Sequence, residues 1–225
     1  MASVKSLRYP KKSHRKHVVL PKHSAEFAEF FGIMIGDGGV NNPWQAKITV
    51  NAVADRGYSE YIVKLCRRLF GIKPSSHKRS DTKALDIHLN SVTIVDFLIS
   101  EGLRRGNKLA QGLDIPNWIL AKPLFRAACI RGLVDTDGCL YVHNHIVAGR
   151  RYRNLGLCFS SRSPLLLNQV ARAFEESGLL PHIDRRGQNV YLYRADSVIR
   201  YLKIFGSSND RIHAVYKKWK GARAV

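Results

Sequence analysis

The sequence is poor in acidic residues, and this shortage is the first guide to its partners. Its 225 residues include 17 Asp and Glu against 37 Lys and Arg, which gives a formal net charge of +20. Such an excess of one sign causes self-repulsion and is typical of a protein that binds a polyanion. Nucleic acid fits this charge better than a membrane surface does, because no long basic amphipathic helix is evident.

Cysteine is also scarce, and four residues of this type are present: Cys66, Cys129, Cys139 and Cys158. None forms a Cys-x-x-Cys pair and no His-x-x-x-His pattern accompanies them, so we expect neither a zinc site nor a disulfide framework. This usage favours a reducing compartment, such as a bacterial or archaeal cytoplasm or an organelle. No apolar run approaches the roughly 18 residues that a membrane span needs, so no membrane association is expected.

The first 25 residues lack both acidic residues and the apolar core of a signal peptide. An organellar presequence, a basic arm on nucleic acid and a frayed tail all fit this composition. Because Ser-rich amphipathic character is weak, we interpret residues 1–23 as a basic N-terminal arm. The chain also lacks a Walker loop, so a nucleotide cofactor is not expected, and no Ser-His-Asp or Cys-His arrangement stands out.

What the sequence does contain is an internal repeat, which appears when Asp37 is aligned with Asp137. The alignment pairs predicted strands and helices in the same order: 46–51 with 154–160, 58–72 with 164–180, 84–90 with 189–195, and 92–103 with 196–206. Trp118 follows Asp37 by 81 residues, and Trp219 follows Asp137 by 82. We therefore predict an α+β protein with two pseudo-symmetric αββαββα repeats, at residues 24–121 and 122–225. Between the predicted strands of the second repeat, "VAGRRYRN" is expected to be an exposed hairpin tip.

Each repeat opens with an apolar segment that ends in Asp-Gly, "FFGIMIGDG" (30–38) and "IRGLVDTDG" (130–138). A helix that is apolar all round is buried. Gly32 and Gly36 lie four residues apart on one face, and Gly132 and Thr136 occupy the matching places. Small residues at this spacing let two helix backbones touch. We expect the two helices to pack on a pseudo-twofold axis, as in a dimer fused into one chain.

The aspartates are then expected at the two helix C-termini, with Gly38 and Gly138 supplying the left-handed residue that ends each helix. A carboxylate there opposes the helix dipole at about 0.3–1 kcal/mol, and two nearby carboxylates repel each other. Mg²⁺ or Ca²⁺ would offset both effects. A metal held by two acids beside a basic surface suits phosphodiester hydrolysis. A solvated aspartate that merely caps a turn is the structural alternative at each position.

With these two motifs, the chain resembles the single-chain, two-repeat LAGLIDADG homing endonucleases from about residue 24 to its end. "NKLAQGLDIPNWI" and "FRAACIRGLVDTDG" also resemble the family's lead-in to its second motif. The resemblance implies a saddle of two four-stranded antiparallel sheets with the paired motif helices at its centre. It also implies a monomer that cleaves both strands of DNA at a long, specific site in intron mobility. Mg²⁺ is the implied cofactor, and Ca²⁺ is expected to support binding without cleavage.

The same resemblance implies roles for individual residues. Asp37 and Asp137 would bind the metals, helped by the backbone carbonyls of Gly36 and Thr136. Lys108 would order water around the metals. Arg211 is the nearest counterpart of Lys108 in the second repeat, and three neighbours could displace it: Asp210, His213 and Lys217.

Two positions of the motifs depart from the family pattern. The sixth motif position is Ile35 in the first repeat and Asp135 in the second. The resemblance gives an acid there a structural role, so Asp135 is not expected to be catalytic. Arg131, at the second motif position, is expected to extend toward the rim.

Sequence readout in the major groove needs polar side chains on outward-facing strand positions, whereas basic residues in hairpin turns more often hold phosphates. The candidates in the first repeat are Gln45, Lys47, Thr49, Asn51, Lys78, Arg79, Lys83 and His88. The candidates in the second repeat are Arg150, Arg151, Arg153, Asn154, Ser160, Arg162, Arg185, Arg186, Gln188, Asn189, Tyr191 and Tyr193.

Two function classes remain open. One is a metal-dependent, site-specific double-strand DNA endonuclease, and the other is a non-catalytic nucleic-acid binder on the same scaffold, such as an intron maturase or a transcription regulator. Retention of both Asp37 and Asp137 favours the nuclease. A glycosidase with paired carboxylates does not account for the +20 charge, and an intein-embedded nuclease is disfavoured because the repeats fill the chain.

Overall fold

The computed structural model describes residues 7–8, 17–108 and 110–222. Most of the predicted basic arm therefore lies outside the described residues. Its described part contacts the first repeat: the Arg8 guanidinium pairs with Asp96 at 2.6 Å, and the His23 ring stacks on Trp118 at 4.1 Å. Within the described ranges, no helix has both the length and the apolar character to cross a membrane.

The first repeat consists of three helices and a four-stranded antiparallel sheet. Its elements are α1 (Ala25–Gly36), β1 (Gly38–Asn42), β2 (Gln45–Asn51), α2 (Arg56–Phe70), β3 (Ser75–Lys78), β4 (Ala84–Asn90) and α3 (Val92–Ser100). The strand order is β1-β2-β4-β3. A short helix, α4 (Asn117–Leu120), leads into the second repeat.

The second repeat has the same order of elements, and its last helix is longer than α4. Its elements are α5 (Pro123–Asp137), β5 (Gly138–Val147), β6 (Arg150–Ser160), α6 (Pro164–Glu176), β7 (His182–Ile183), β8 (Asn189–Leu192), α7 (Ala195–Ile204) and α8 (Asp210–Gly221). Its strand order, β5-β6-β8-β7, matches that of the first sheet. The predicted fold of two αββαββα repeats is confirmed.

Apolar and polar residues alternate along the strands as predicted, so that each sheet has one apolar face and one polar face. Ile48 and Val50 of β2 are buried, and so are Leu155, Leu157 and Phe159 of β6. These residues pack with the helices in one core. The opposite face of each sheet carries the intervening polar residues. We call it the open face.

Side-chain caps mark where the helices begin. The hydroxyl of Ser24 accepts a hydrogen bond from the Phe27 backbone N–H at 3.1 Å, at the start of α1. Ser91 and Ser163 do the same at the starts of α3 and α6. Each bond satisfies one of the backbone donors that the first helical turn leaves free. The proposed division into repeats at residues 24 and 122 stays a prediction, although α1 and α5 follow Ser24 and Lys122 directly.

The first and fifth helices pack against each other along the predicted small-residue face. A methyl group added at Gly32 would lie 3.0 Å from the Cys129 carbonyl carbon and closer still to its oxygen. A methyl group at Gly132 would lie 3.0 Å from the Ile33 backbone nitrogen and closer to the Glu29 oxygen. The helix backbones are therefore in direct contact, as the spacing of the glycines predicts.

The prediction that Gly38 and Gly138 adopt a left-handed conformation is wrong. Gly138 is extended, with φ −109° and ψ 165°, and neither glycine is among those with positive φ. Each residue starts a strand directly after its helix. A Cβ at Gly38 would lie 2.5 Å from the Met34 Cα, and one at Gly138 would lie 2.5 Å from the Val134 carbonyl oxygen. Glycine is needed because the strand crosses closely over the preceding helical turn.

The predicted exposed hairpin tip lies within 147–154 but is shorter than expected, since β5 and β6 pair up to Val147 and Arg150. The turn comprises only Ala148 and Gly149, whose φ angles are 48° and 79°. Positive φ at both central residues suits a two-residue hairpin. The strands consequently extend further than the loop-like composition indicates.

Candidate active site and nucleic-acid interface

The two aspartates come together at one end of the helix pair. Asp37 ends α1 and Asp137 ends α5. A Cβ on Gly36 would lie 3.0 Å from an Asp137 carboxylate oxygen, so the side chain of the second motif reaches the backbone of the first. Burial raises the pKa of Asp37 to about 7, and repulsion from Asp137 adds to this shift. Ionisation of both carboxyl groups is therefore unfavourable unless a cation lies beside them.

Asp137 has more solvent-exposed surface than Asp37, although its carboxyl group lies among protein atoms. Burial of its carboxyl group raises the pKa of Asp137 to about 6, and the Lys108 ammonium acts in the opposite direction. A cation at this position would favour the ionised carboxylate.

Lys108 lies in the loop after α3 and holds the end of α1. Its ammonium donates hydrogen bonds to the backbone carbonyls of Ile35 and Gly38 at 2.7 Å each, and to that of Gly36. Burial lowers the pKa of Lys108, whereas Asp137 and Asp37 raise it. The side chain thus stands beside both carboxylates while it fixes the backbone that carries one of them.

Arg211, near the start of α8, takes the matching place in the second repeat. Its guanidinium donates to the Gly138 carbonyl at 3.3 Å and to the Asp135 carbonyl at 3.4 Å. Its Nε also pairs with Asp55 of the first repeat at 3.2 Å. The carbonyls of Asp135 and Gly138 correspond to those of Ile35 and Gly38, which Lys108 binds.

The other candidates for this role point elsewhere. His213 hydrogen-bonds the Ser207 carbonyl at 2.9 Å, and Asp210 and Lys217 are exposed. Arg211 is therefore the geometric counterpart of Lys108. Its chemical role stays a prediction.

The oxygen donors at this end of the helices fit a hard divalent cation. No group of three or more His, Cys, Asp or Glu suited to a metal occurs among the described residues. Asp37 and Asp137 would hold the ion together with the Thr136 carbonyl. The predicted Gly36 carbonyl already accepts a hydrogen bond from Lys108. Mg²⁺ usually keeps several waters and substrate phosphates in its coordination shell, so a small number of protein ligands suits it.

A buried polar network lies below the aspartates and joins the two repeats. The Asp135 carboxylate accepts hydrogen bonds from the Ser207 hydroxyl at 2.5 Å and from the Ser208 N–H at 2.6 Å. Both oxygens of the Asp135 carboxylate are thus engaged by the protein, as expected for a residue with a structural role. The prediction that Arg131 extends toward the rim is wrong, because its guanidinium pairs with the buried Glu29. Burial of Glu29 without this partner would leave an uncompensated charge.

The open face of the first sheet carries a charged cluster centred on Asp86. Thr49 donates to its carboxylate at 2.7 Å, and the Arg79 guanidinium donates at 2.9 and 3.0 Å. Lys47 lies 3.9 Å away. Burial acts to raise the pKa of Asp86, but the hydrogen bonds from Arg79 and Thr49 outweigh it, so the pKa is lowered. Arg79 and Lys47 would thus meet DNA with part of their charge already neutralised.

The open face of the second sheet carries the predicted Asn154, Ser160, Asn189, Tyr191 and Tyr193. The Ser160 hydroxyl donates to the Asn189 side-chain oxygen at 2.6 Å. The rings of Tyr191 and Tyr193 stack at 5.1 Å. This face is therefore more aromatic and less charged than that of the first sheet.

Strand register places three predicted DNA-binding residues on the face opposite to the open one. Lys78 pairs with Leu85, and by alternation Arg151 and Arg153 share the face of Leu155. The assumption that these three side chains face outward with the others is therefore wrong. The carbonyl of Arg153 accepts a hydrogen bond from Trp219 of α8 at 3.0 Å, on the helix side.

The remaining predicted DNA-binding residues have accessible positions. Gln45 and His88 are half-buried on the open face of the first sheet. The others lie exposed at strand ends or in turns: Asn51, Lys83, Arg150, Arg162, Arg185, Arg186 and Gln188. Two of them, Arg162 and Gln188, also line a cavity that contains Lys108 and Asp137. That cavity connects the aspartate pair with the second sheet.

Sequence reasoning missed four aromatic residues on the open face of the second sheet. Alternation along β5 and β6 places Tyr141, His143, His145 and Tyr152 there. His143 stacks on His145 at 5.2 Å, and His145 stacks on Tyr152 at 5.5 Å. Leu140 and Val142 alternate with these residues, which is the signal that would have indicated them. The role of Asp55 as the partner of Arg211 was also missed.

Comparison with known proteins agrees with this architecture. Residues 124–213 match the model of the LAGLIDADG-like domain. Over 218 residues the chain is 26% identical to the replication factor C small subunit of Methanocaldococcus jannaschii, which covers 88% of this chain. The chain spans 11% of the length of that relative.

Two solved structures share the fold. The I-LtrWI LAGLIDADG homing endonuclease bound to target DNA has a TM-score of 0.57 and 9% identity, over 88% of this chain and 89% of that chain. A variant of I-DmoI, in complex with its nicked target DNA in the presence of Mn, has a TM-score of 0.53 and 18% identity, over 81% and 97%. The second repeat of the chain therefore contains a LAGLIDADG-like domain. The chain as a whole has the fold of the LAGLIDADG homing endonucleases.

Proposed function

We propose that the chain is a monomeric, site-specific DNA endonuclease that uses Mg²⁺ to hydrolyse one phosphodiester bond in each strand. The observation that carries the proposal is the pairing of Asp37 with Asp137, each beside a basic residue that holds the end of its own helix. The DNA complexes of the solved structures with this fold support a duplex as the partner. The net charge of +20 supplies the long-range attraction that such a polyanion needs.

The residues of the chain have separate tasks in this proposal. When bound, the divalent ions activate water and stabilise the leaving oxygen. Asp37 and Asp137 hold the ions, and Lys108 and Arg211 keep the strand starts at Gly38 and Gly138 in place. The open faces of the two sheets contact the duplex on either side of the aspartate pair.

The proposal is tested by selecting cleaved sites from a random duplex library with the purified protein in Mg²⁺. Asp37→Asn or Asp137→Asn should stop double-strand cleavage of the selected site and preserve its binding in Ca²⁺. Glu175→Gln is the matched control, because this acid is exposed on α6 away from the site. Full cleavage by the double Asp37→Asn, Asp137→Asn variant would overturn the mechanism. Specific binding by the unaltered protein without any cleavage in Mg²⁺ would instead identify a non-catalytic nucleic-acid binder.

A further inference from the structure

Two of the four cysteines lie directly opposite each other in neighbouring strands. Cys139 of β5 pairs with Cys158 of β6 in the antiparallel ladder, and both thiols are free. Opposite residues of such a ladder have Cα atoms about 4.5–5.5 Å apart. This separation falls inside the range of about 4.4–6.8 Å that disulfides adopt. A bond between Cys139 and Cys158 therefore needs no large backbone movement.

The pair lies on the open face of the second sheet, beside residues proposed to contact DNA. Cys158 shares the parity of Ser160 along β6 and lies opposite Tyr191 of β8. Its thiol donates a weak hydrogen bond to the Asn189 side-chain oxygen at 3.6 Å and lies 3.7 Å from the Ser160 hydroxyl. Cys139 follows Asp137 by two residues at the start of β5.

Accessibility separates this pair from the other two cysteines. Cys139 is partly exposed and Cys158 is 9% exposed, whereas Cys66 and Cys129 have no exposed surface. Cys66 belongs to α2 and Cys129 to α5, and both lie in the apolar core. Oxidants in solution therefore reach this pair of thiols before they reach Cys66 or Cys129.

We propose that Cys139 and Cys158 form a peroxide-sensitive site whose disulfide weakens the contact of the second sheet with DNA. One thiol attacks the peroxide, the O–O bond breaks, and a sulfenic acid and one water form. The second thiol then attacks this sulfur, the S–O bond breaks, and a second water leaves. Two thiols and one peroxide thus give one disulfide and two waters, and an added dithiol reverses the oxidation.

The structural consequence is local. The disulfide removes the weak hydrogen bond that the Cys158 thiol donates to Asn189, and it fixes two side chains on the open face near Asp137. Asn189 keeps the hydrogen bond from the Ser160 hydroxyl at 2.6 Å, so the change is confined to the two cysteine side chains and the surface that they form. The expected effect on DNA rests on the proposed function. Formation of the disulfide does not.

The first measurement uses the full reduced protein, hydrogen peroxide and no DNA. We expect an intramolecular disulfide that lowers the mass by about 2 Da, links the peptides of Cys139 and Cys158, and is reversed by dithiothreitol. Cys66 and Cys129 should remain free to be alkylated after unfolding. Cys139→Ser and Cys158→Ser should each lack the mass loss. A link that involves Cys66 or Cys129, or oxidation of the pair to sulfinic acids without a disulfide, would overturn the proposal.

The second measurement compares binding of a selected duplex in Ca²⁺ by reduced and oxidised protein. We expect several-fold weaker binding after oxidation, recovery with dithiothreitol, and no response to peroxide in Cys139→Ser. Unchanged affinity of the fully oxidised protein would overturn the effect on DNA. Failure of the reduced protein to bind any duplex would count against the proposed function instead, and the mass measurement keeps the two failures apart.

Discussion

The contact between α1 and α5 gives the sharpest prediction, because a single methyl group tests it. In an exposed helix, replacing glycine by alanine stabilises by about 1 kcal/mol. At Gly32 the new methyl carbon would lie 3.0 Å from the Cys129 carbonyl carbon and 3.1 Å from the Leu133 backbone nitrogen. All of these neighbours are backbone atoms, so no side-chain rotation relieves the overlap. The helices must separate instead.

The magnitude follows from two opposing effects. Overpacking a well-packed core typically costs about 1–3 kcal/mol and occasionally more. Because a helix backbone must move here, we expect the overlap at Gly32 to cost about 3–4 kcal/mol of stability. Subtracting the helix propensity of about 1 kcal/mol leaves a net loss of about 2–3 kcal/mol for Gly32→Ala. For a chain of 225 residues, this lowers the melting temperature by about 4–12 °C.

Thermal and urea unfolding of Gly32→Ala measure this loss, and Gly221→Ala is the matched control. Gly221 also lies in a helix, at the end of α8, but nothing stands within 4 Å of a Cβ added there. Its replacement should leave stability unchanged or raise it by up to about 1 kcal/mol. If Gly32→Ala proves as stable as Gly221→Ala, the two backbones are not in contact and the pairing of the aspartates loses its basis.

Two further predictions concern ion pairs of the chain. Asp55→Asn keeps the shape of the side chain but removes the charge that pairs with Arg211 at 3.2 Å. We expect nicked duplex to accumulate relative to linear product, with binding in Ca²⁺ unchanged. The same ratio of nicked to linear product in variant and parent would contradict a role of Asp55 in supporting Arg211. Hydrogen bonds from Arg8 lower the pKa of Asp96, so the stabilisation by this pair is complete well above the unfolded pKa of about 3.9 and is lost as the pH falls through the folded pKa. Unfolding curves from pH 6 to pH 2.5 should accordingly show a shallower loss of stability for Asp96→Asn than for the parent.

The strands and the helix pair were predictable because they depend on local periodicity. Apolar residues at every second position define β4 at 84–90, and this prediction is confirmed to the residue. The glycines of the motifs predicted helix contact correctly, since only small side chains permit it. The reasoning failed at Gly38, where glycine is needed because the strand lies close to the Met34 backbone and not because the backbone is left-handed.

What the sequence could not supply was the pairing of residues far apart along the chain. Lys108 follows Asp37 by 71 residues, whereas Arg211 follows Asp137 by 74. The offset arises before these basic residues, where corresponding elements differ in length; β2, for example, has 7 residues and β6 has 11. The Asp86 cluster and the Asp55–Arg211 pair likewise join residues whose separation carries no periodic signal.

The two halves of the site are chemically unequal, and this inequality follows from the fusion of the repeats. Arg211 is neutralised by Asp55 from the other repeat. The electrostatic partners of Lys108 are Asp137 and Asp37 themselves. Asp55 raises the pKa of Asp37 and Arg211 lowers it, so their effects oppose each other there.

The two open faces are also unlike each other. The face of the first sheet carries the charged cluster around Asp86, whereas the face of the second sheet is lined by stacked aromatic rings. A homodimer cannot acquire such differences, because every substitution appears twice. A fused chain can, and two unlike faces suit a duplex whose half-sites differ in sequence. The asymmetry of the molecule therefore predicts that its target is not a palindrome, and a palindromic site selected from the random library would contradict this reading.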